Sequence, residues 1–410
     1  MNVLHVNYTD KIGHRFNGGA IIGWLRANGH SGQHAVGVKQ AMGDISFGLN
    51  SILKPVFYRL ICRLENALSL QSVLHFQSFL LLFNAAYRRA DVVHYHIIHN
   101  EFFSYLALPL LTRRKPTVWT LHDPWAFTGH CIHPFECEGW RTGCAPCPHL
   151  DYPFAIRTDR AWLNFKLKKF IYSRSKLELI VSSKWMKIRV EQSPLLRHFR
   201  VHQIPFGVHL DTFKPGDKDQ AKTKLGIPTN KVVIGFRALG GPFKGLQYTL
   251  AALHLLSQNL PICIVTCQAI GLCEGLQGKF PIYELGDLEN EADMVQFYQA
   301  TDIHLMPSMA ESFGMMAAEA AACGVPSIVF SGTPLVEICF APEAGIAVEK
   351  GNVTLLANAI IALVGDSERR HAMGRRAREL AKIHYGLDLY MHRTLDIYRS
   401  LMAAGEQEDC

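Results

Sequence analysis

The sequence predicts two α/β domains, each built on an open parallel sheet. Three observations carry that expectation. At 410 residues the chain exceeds what one typical core organises. It opens with a strand, Asn2–Asn7, that breaks at Gly13 and at Gly18-Gly19-Ala20 before Ile21, Ile22 and Leu25 recur at helical spacing. Strand, glycine turn and helix are the first unit of a doubly wound domain. The same grammar returns late in the chain. Asp302–Pro307 reads as a buried strand, Ala310–Gly314 as a short loop, and Met315–Cys323 as an Ala-rich helix that Gly324-Val325-Pro326 stops.

Composition narrows the class. Apolar content of 49% with 19% charged residues describes a soluble globular chain. The longest apolar patches, Phe79–Phe83 and Leu106–Leu111, fall far short of the ~18 residues of a spanning helix. The first residues lack a basic region and an apolar core, so they read as a strand and not as a signal peptide. Eleven cysteines without such a signal point to the reducing cytosol. Residues 1–200 carry 25 Lys and Arg against 12 Asp and Glu, whereas residues 201–410 carry 17 against 23. That asymmetry suggests an anionic partner for the N-terminal half, a membrane surface or a lipid diphosphate. No nucleic-acid-binding motif accompanies the charge, so nucleic acid is not an expected partner.

In the first half, Leu49–Ala90 mixes apolar helical segments with Arg59, Arg63, Arg88 and Arg89; most of its apolar face is expected to be core, the alternative being helices in a membrane interface with the basic residues at the headgroups. Asp91–His96 and Thr117–Leu121 read as strands of one sheet. The second ends at His122-Asp123, and ligands gather at the carboxyl ends of such strands. Asp123 either orients the His122 ring or caps the following turn. Next come Cys131, Cys137, Cys144 and Cys147, spaced C-x5-C-x6-C-x2-C among glycines and prolines. A short loop with little core suits a structural Zn²⁺ held by four thiolates. Two local disulfides, or thiols joined by His130, His133 or His149, are the alternatives. Thr158–Ser175 is basic and amphipathic, with Arg160, Lys166, Lys168, Lys169 and Arg174 facing an anionic membrane or simply solvent.

In the second half, Val232–Phe236 reads as a strand leading to Arg237 and then Lys244-Gly245, which opens a helix. Two cations around a glycine loop suit a diphosphate. Pro261–Thr266 and the stretch ending Tyr283–Leu288 are further strands, the latter leading to Asp287. Asn290–Ala300, Asn352–Val364, Ser367–His384 and Gly386–Ala403 read as helices, and Ser327–Phe330 as a strand. At Gly314-Met315 a helix N-terminus with free N–H groups favours a phosphate. Glu311 sits in the preceding loop and Glu319 eight residues on, about two helical turns away.

Glu311-x7-Glu319, with Ser312-Phe313-Gly314 after the first Glu and Gly324-x-Pro326 after the helix, resembles the retaining nucleotide-sugar glycosyltransferases of family 4, which have the GT-B fold. Arg237 and Lys244-Gly245 are similar to that family's Arg…Lys-Gly loop. Phe206-Gly207-Val208-His209, before Phe213-x-Pro215, is similar to its interdomain signature, with Phe206 and His209 in place of the usual Asn and Asp. Asp91-Val92-Val93-His94 resembles another of its strands, which puts His94 and His96 near a cleft. The Cys-rich insertion resembles one in members that build bacterial exopolysaccharide or O-antigen (colanic-acid-type) chains.

The resemblance implies an α/β GT-B fold of two facing Rossmann-like domains. Residues 1–206 would bind the acceptor, 207–385 the nucleotide sugar, and 386–410 would form a helix crossing back. It implies His122, Glu311, Arg237 and Lys244 as catalytic residues. Donor contacts fall to Gly18, Gly19, Arg237, Lys244, Asp287, Glu311, Ser312, Phe313, Gly314, Met315 and Glu319. Glu319 would hold the ribose hydroxyls, and Glu311 with the backbone from Phe313 to Met315 would hold the sugar and diphosphate. The expected partners are a nucleotide-diphosphate sugar and a saccharide acceptor, polyprenyl-diphosphate-linked. No cofactor is expected in catalysis. The expected location is cytoplasmic, at the inner face of the plasma membrane. A nucleotide-sugar epimerase of the same fold and a non-catalytic nucleotide-sugar-binding protein are the competing readings. The first needs acid/base residues that the sequence does not identify, and the second expects loss of Glu311 or Lys244, which are present.

Overall fold

The computed structural model describes residues 1–11, 18–52 and 54–408; Gly13 lies outside them. The chain divides into two compact units, Met1–Ile204 with Met391–Cys410, and Pro205–Tyr390. Each has its own parallel sheet and its own apolar core.

The first unit holds β1 (Asn2–Thr9), β2 (Ser31–Val38), β3 (Ser46–Gly48), β4 (Val92–Tyr95), β5 (Thr117–Leu121), β6 (Glu178–Val181) and β7 (Val201–Gln203). Their order is β3-β2-β1-β4-β5-β6-β7, so the strand order reverses between β1 and β4. β1 pairs with both β2 and β4 and is covered on both faces. Its apolar–polar alternation therefore does not mark a wet side. Leu4 and Val6 enter the main core, while His5 and Asn7 are fully buried on the other face. They are accommodated because they hydrogen-bond: His5 to His96, and Asn7 Nδ2 to Thr9 O at 2.7 Å.

Two expectations for this unit are corrected. The helix Pro55–Leu68 does not bury its apolar face; Val56, Phe57, Leu60 and Leu64 are exposed. Its buried residue is Glu65, which accepts the N–H groups of Ser72, Val73 and Leu74 and pairs with His75. Lys168, on the helix Ala161–Tyr172, does not face a membrane or solvent. It is fully buried, donating to Trp125 O and Thr128 O.

The second unit holds β8 (Val232–Ala238), β9 (Ile262–Gln268), β10 (Ile282–Glu284), β11 (Ile303–Met306), β12 (Ser327–Phe330) and β13 (Ile346–Val348), in the order β10-β9-β8-β11-β12-β13. The order reverses between β8 and β11. Near-continuous burial of β8, β9, β11 and β12 is what a parallel sheet covered on both faces demands. Asp302 ties the start of β11 to this sheet, accepting from Val233 N–H and pairing with Lys218 and Lys222. The last helix, Leu387–Glu408, starts in the second unit and continues in the first from Met391. Among the described residues no helix is long and apolar enough to cross a membrane.

Candidate functional site

In the second unit, the predicted donor residues gather where β8, β9 and β11 end. β8 runs two residues further than expected, so Arg237 is the penultimate residue of the strand and not part of a loop. Its guanidinium donates twice to Gln268 Oε1, at 2.9 and 2.5 Å. Gln268 ends β9 and passes the contact on, its Nε2 donating to Asp287 Oδ1 at 2.6 Å. Gln268 was not anticipated; the available signal was a polar residue at the carboxyl end of a buried apolar strand. Buried Cys267, beside it, has its thiol pushed up to about 11 by burial, and it also feels the charges of Arg237, Glu319 and Asp287.

Lys244 lies on the loop after β8, and its Nζ reaches Glu311 Oε1 at 2.6 Å. Ser308 Oγ donates to the same oxygen at 3.3 Å. The two loops are joined through their backbones, Met309 N–H donating to Phe243 O at 2.7 Å. Gly245, which heads the helix Leu246–Leu255, has φ +67°, and a Cβ there would stand 1.9 Å from Pro307 O. Only glycine lets the two loops approach this closely. Gly314 plays the matching part on the Glu311 loop. At φ +105° it heads the helix Met315–Ala322, with Leu335 packed where a side chain would go.

The first intrahelical bonds of Met315–Ala322 are accepted by Gly314 O from Ala317 and Ala318. The N–H groups before them precede the ladder and carry the positive end of the helix dipole. Only Met315–Glu319 is helical between the two glutamates, so their separation is a loop plus one turn and not two turns. Both glutamates are buried: Glu311 lies in the loop that leads into the helix, and Glu319 lies within it and accepts from Tyr298 Oη at 2.8 Å. Phe313 is buried behind the loop against Phe206 and Tyr385. Phe206, the departure from the usual Asn, thus supports the loop by packing. His209, the other departure, pairs with Glu291 at 2.9 Å.

The first unit brings its predicted histidines together at β1 and β4. His34, His5 and His94 lie side by side in register across β2, β1 and β4. His5 Nδ1 and His96 Nε2 are 2.9 Å apart, and His96 Nδ1 and His122 Nε2 are 3.1 Å apart. His94 uses both ring nitrogens, on Tyr398 Oη at 2.6 Å and Thr120 Oγ1 at 2.7 Å. Burial pushes His5, His94, His96 and His122 below the ordinary value of 6.5, His122 to about 4. At neutral pH they are uncharged imidazoles. Asp123 caps the turn Pro124–Phe127 through Trp125 N–H and pairs with His99 at 3.1 Å. Gly18, at φ +103°, and Gly19 begin the helix Gly19–Ala27, with Gly18 lying against the His5 and His96 rings.

Residues 217–380 match the family model described as glycosyl transferases group 1. The second unit carries a group 1 glycosyltransferase domain. A curated relative, D-inositol 3-phosphate glycosyltransferase 1 of Catenulispora acidiphila, is 30% identical over 231 residues, which is 50% of this chain and 53% of the relative. The Escherichia coli K12 protein named "Putative colanic acid biosynthesis glycosyl transferase WcaC" is 36% identical over 92 residues, covering 19% of this chain and 23% of its own. The chain spans about half the length of the first of these relatives. Among solved structures, Anabaena Alr3699/HepE in complex with UDP aligns with TM-score 0.68 at 16% identity, covering 98% of this chain and 100% of that one. WaaG, a glycosyltransferase of lipopolysaccharide biosynthesis, aligns with TM-score 0.65 at 14% identity over 97% and 99%. At such identities the likeness is one of fold: two parallel-sheet, Rossmann-like units of the GT-B class.

Proposed function

We propose that the protein is a retaining glycosyltransferase that moves a sugar from a nucleotide diphosphate to a saccharide hydroxyl. The observation that carries the proposal is the Lys244–Glu311 pair at the mouth of the Met315–Ala322 helix, with Arg237 at the end of the central strand β8. The partly exposed Lys244 ammonium can turn to a phosphate oxygen, while buried Glu311 keeps the Ser308 hydroxyl as a donor. Together with Arg237 and the helix N-terminus it stabilises a departing diphosphate, so no metal ion is required for that charge. Glu311 then holds a sugar hydroxyl, and Glu319 the ribose hydroxyls.

The reaction runs on one face of the sugar. The bond from the anomeric carbon to the phosphate oxygen breaks, giving an oxocarbenium-like centre. The acceptor oxygen bonds to that carbon on the same face and gives its proton to the departing phosphate oxygen. His122, neutral at pH 7, offers a hydrogen bond to the reacting sugar. Gly18 and Gly19, at the start of the helix Gly19–Ala27, are proposed to face the donor diphosphate or the acceptor.

The acceptor is proposed to be lipid-diphosphate-linked, in surface polysaccharide synthesis, with the exposed face of Val56, Phe57, Leu60 and Leu64 beside Lys54, Arg59 and Arg63 resting on an anionic bilayer. A panel of nucleotide sugars, UDP-glucose first because HepE was solved with it, tests the donor. Transfer without added divalent ion, with the anomeric configuration kept in the product, is expected. An inverted product, or a new sugar epimer formed without acceptor, contradicts the proposal. Vesicles of phosphatidylglycerol should co-sediment the protein, and neutral vesicles should not.

A further inference from the structure

None of the predicted donor residues lies in the Cys-rich segment. Cys131, Cys137, Cys144 and Cys147 nevertheless line one cavity of about 20 Å³, with His130, Trp140 and Tyr152 around it. That is room for about one water-sized sphere. All four are free thiols, and Cys131 and Cys144 are buried. Gly129 N–H donates to Cys144 Sγ at 3.2 Å. His130 Nδ1 lies 3.0 Å from Phe154 O, and because a carbonyl only accepts, Nδ1 carries the proton. Its Nε2 is left as an acceptor facing Cys147 Sγ at 3.4 Å.

Beside the thiols is a second oddity, Lys168. Its Nζ is held by Trp125 O at 2.6 Å and Thr128 O at 3.0 Å and lies 3.4 Å from the Trp125 ring centroid. Among the described residues it forms no ion pair. Thr128, whose carbonyl it reaches, directly precedes Gly129, whose N–H meets Cys144 Sγ. A fully buried ammonium held by carbonyls and an indole face is costly unless negative charge lies nearby.

We propose that the cavity binds one Zn²⁺ through the thiolates of Cys131, Cys137, Cys144 and Cys147, and that Lys168 balances the charge of the cluster. Four S–H bonds give up their protons to solvent and four Zn–S bonds form, leaving the site with an excess of two negative charges. The buried lysine then has its counter-charge and the thiolates have theirs. The inference stands apart from the donor site and does not depend on which sugar is moved.

Another group, His5, His94 and His96, already has ligand atoms within 4.8 Å of one another. It is the poorer metal site, because both nitrogens of His94 are committed to Tyr398 and Thr120, and His5 and His96 bind each other. The four thiols are spread wider than that group, so the ion must draw them together. Metal binding and local ordering are then coupled, as in small zinc modules.

Elemental analysis of the full chain, purified without chelator, should find about one zinc per chain. A mercurial titration with a chromogenic chelator should release it. The Cys144→Ser/Cys147→Ser double variant should lose the zinc, and should that variant fail to fold, the wild-type release decides. Lys168→Met should weaken zinc affinity by about 10-fold or more, and Lys168→Arg should restore it. Wild-type chain that holds no zinc and takes none up under reductant overturns the site, as does iron in its place or an intact mass showing disulfides among these cysteines. Unchanged zinc in the double variant overturns the ligand set, and unchanged affinity in Lys168→Met overturns the counter-ion.

Discussion

Both sheets reverse their strand order beside a central strand, β1 against β4 and β8 against β11, yet the two places are furnished in opposite ways. The second unit puts Arg237, Lys244, Glu311 and Asp287 at or just after its strand ends, charged and paired, from buried Glu311 to exposed Asp287. The first puts His5, His94 and His96 there, buried and neutral, with His122 at the end of the next strand. On the proposed reading, one topology serves two kinds of recognition. Fixed charges and a helix N-terminus suit a diphosphate, whose charge must be met; uncharged imidazoles suit a sugar, whose hydroxyls need only hydrogen bonds.

The largest effect should come from breaking the charged side. Lys244→Ala and Glu311→Ala should each lower transfer at least about 100-fold with an unchanged circular dichroism spectrum. His122→Asn, which removes a neutral partner, should cost less. If His122→Asn costs more than Lys244→Ala, the division of labour is reversed.

Next in size is the close approach of the two donor loops. Gly245→Ala places a Cβ on the backbone oxygen of Pro307, which cannot turn aside, whereas Gly314→Ala meets the end of the Leu335 side chain. Urea unfolding should show Gly245→Ala to be the more destabilising, by more than about 3 kcal/mol. Equal effects would mean that the loops are not clamped together there.

A third test uses pH. His122 titrates near 4 when folded, against an ordinary value of 6.5, and His5, His94 and His96 are also pushed down by burial. Between those values the unfolded chain binds the protons, so stability is full above about pH 6.5 and falls as the pH drops towards 4. Each group contributes up to ~1.4 kcal/mol per pH unit in that window. In the second unit His304 is pushed down to about 3, so the same sign holds with fewer groups. Hydrogen exchange at pH 5 against pH 7.5 should show first-unit peptides opening more than second-unit peptides. The smallest effect is expected from Tyr298→Phe. Removing the hydroxyl that donates to Glu319 should cost about 1–3 kcal/mol of stability, with a measurable loss of nucleotide affinity.

The sequence was most legible where burial on both faces forces continuous apolar runs. β8, β9, β11 and β12 were read for that reason, as was the helix that Gly324-Val325-Pro326 ends. β2 was not anticipated, since Gly32 and Gly37 interrupt Ser31–Val38 and blur its period. The Pro55–Leu68 helix was misread because its strong apolar stripe normally marks a core face, and here it is left outside. Within the site, Arg237, Lys244 and Glu311 were found because charged residues beside glycines at strand ends are conspicuous. Gln268 and Tyr298 were missed because their contacts, one between neighbouring strands and one between two helices, join residues distant in sequence.

Donor binding tests the account's core directly. Titrating the full chain with UDP and the other nucleoside diphosphates, and following the melting point, should reveal one that stabilises the wild type. The shift should largely vanish in Lys244→Ala and in Arg237→Ala. A full shift in both variants would mean that these two cations do not meet the diphosphate.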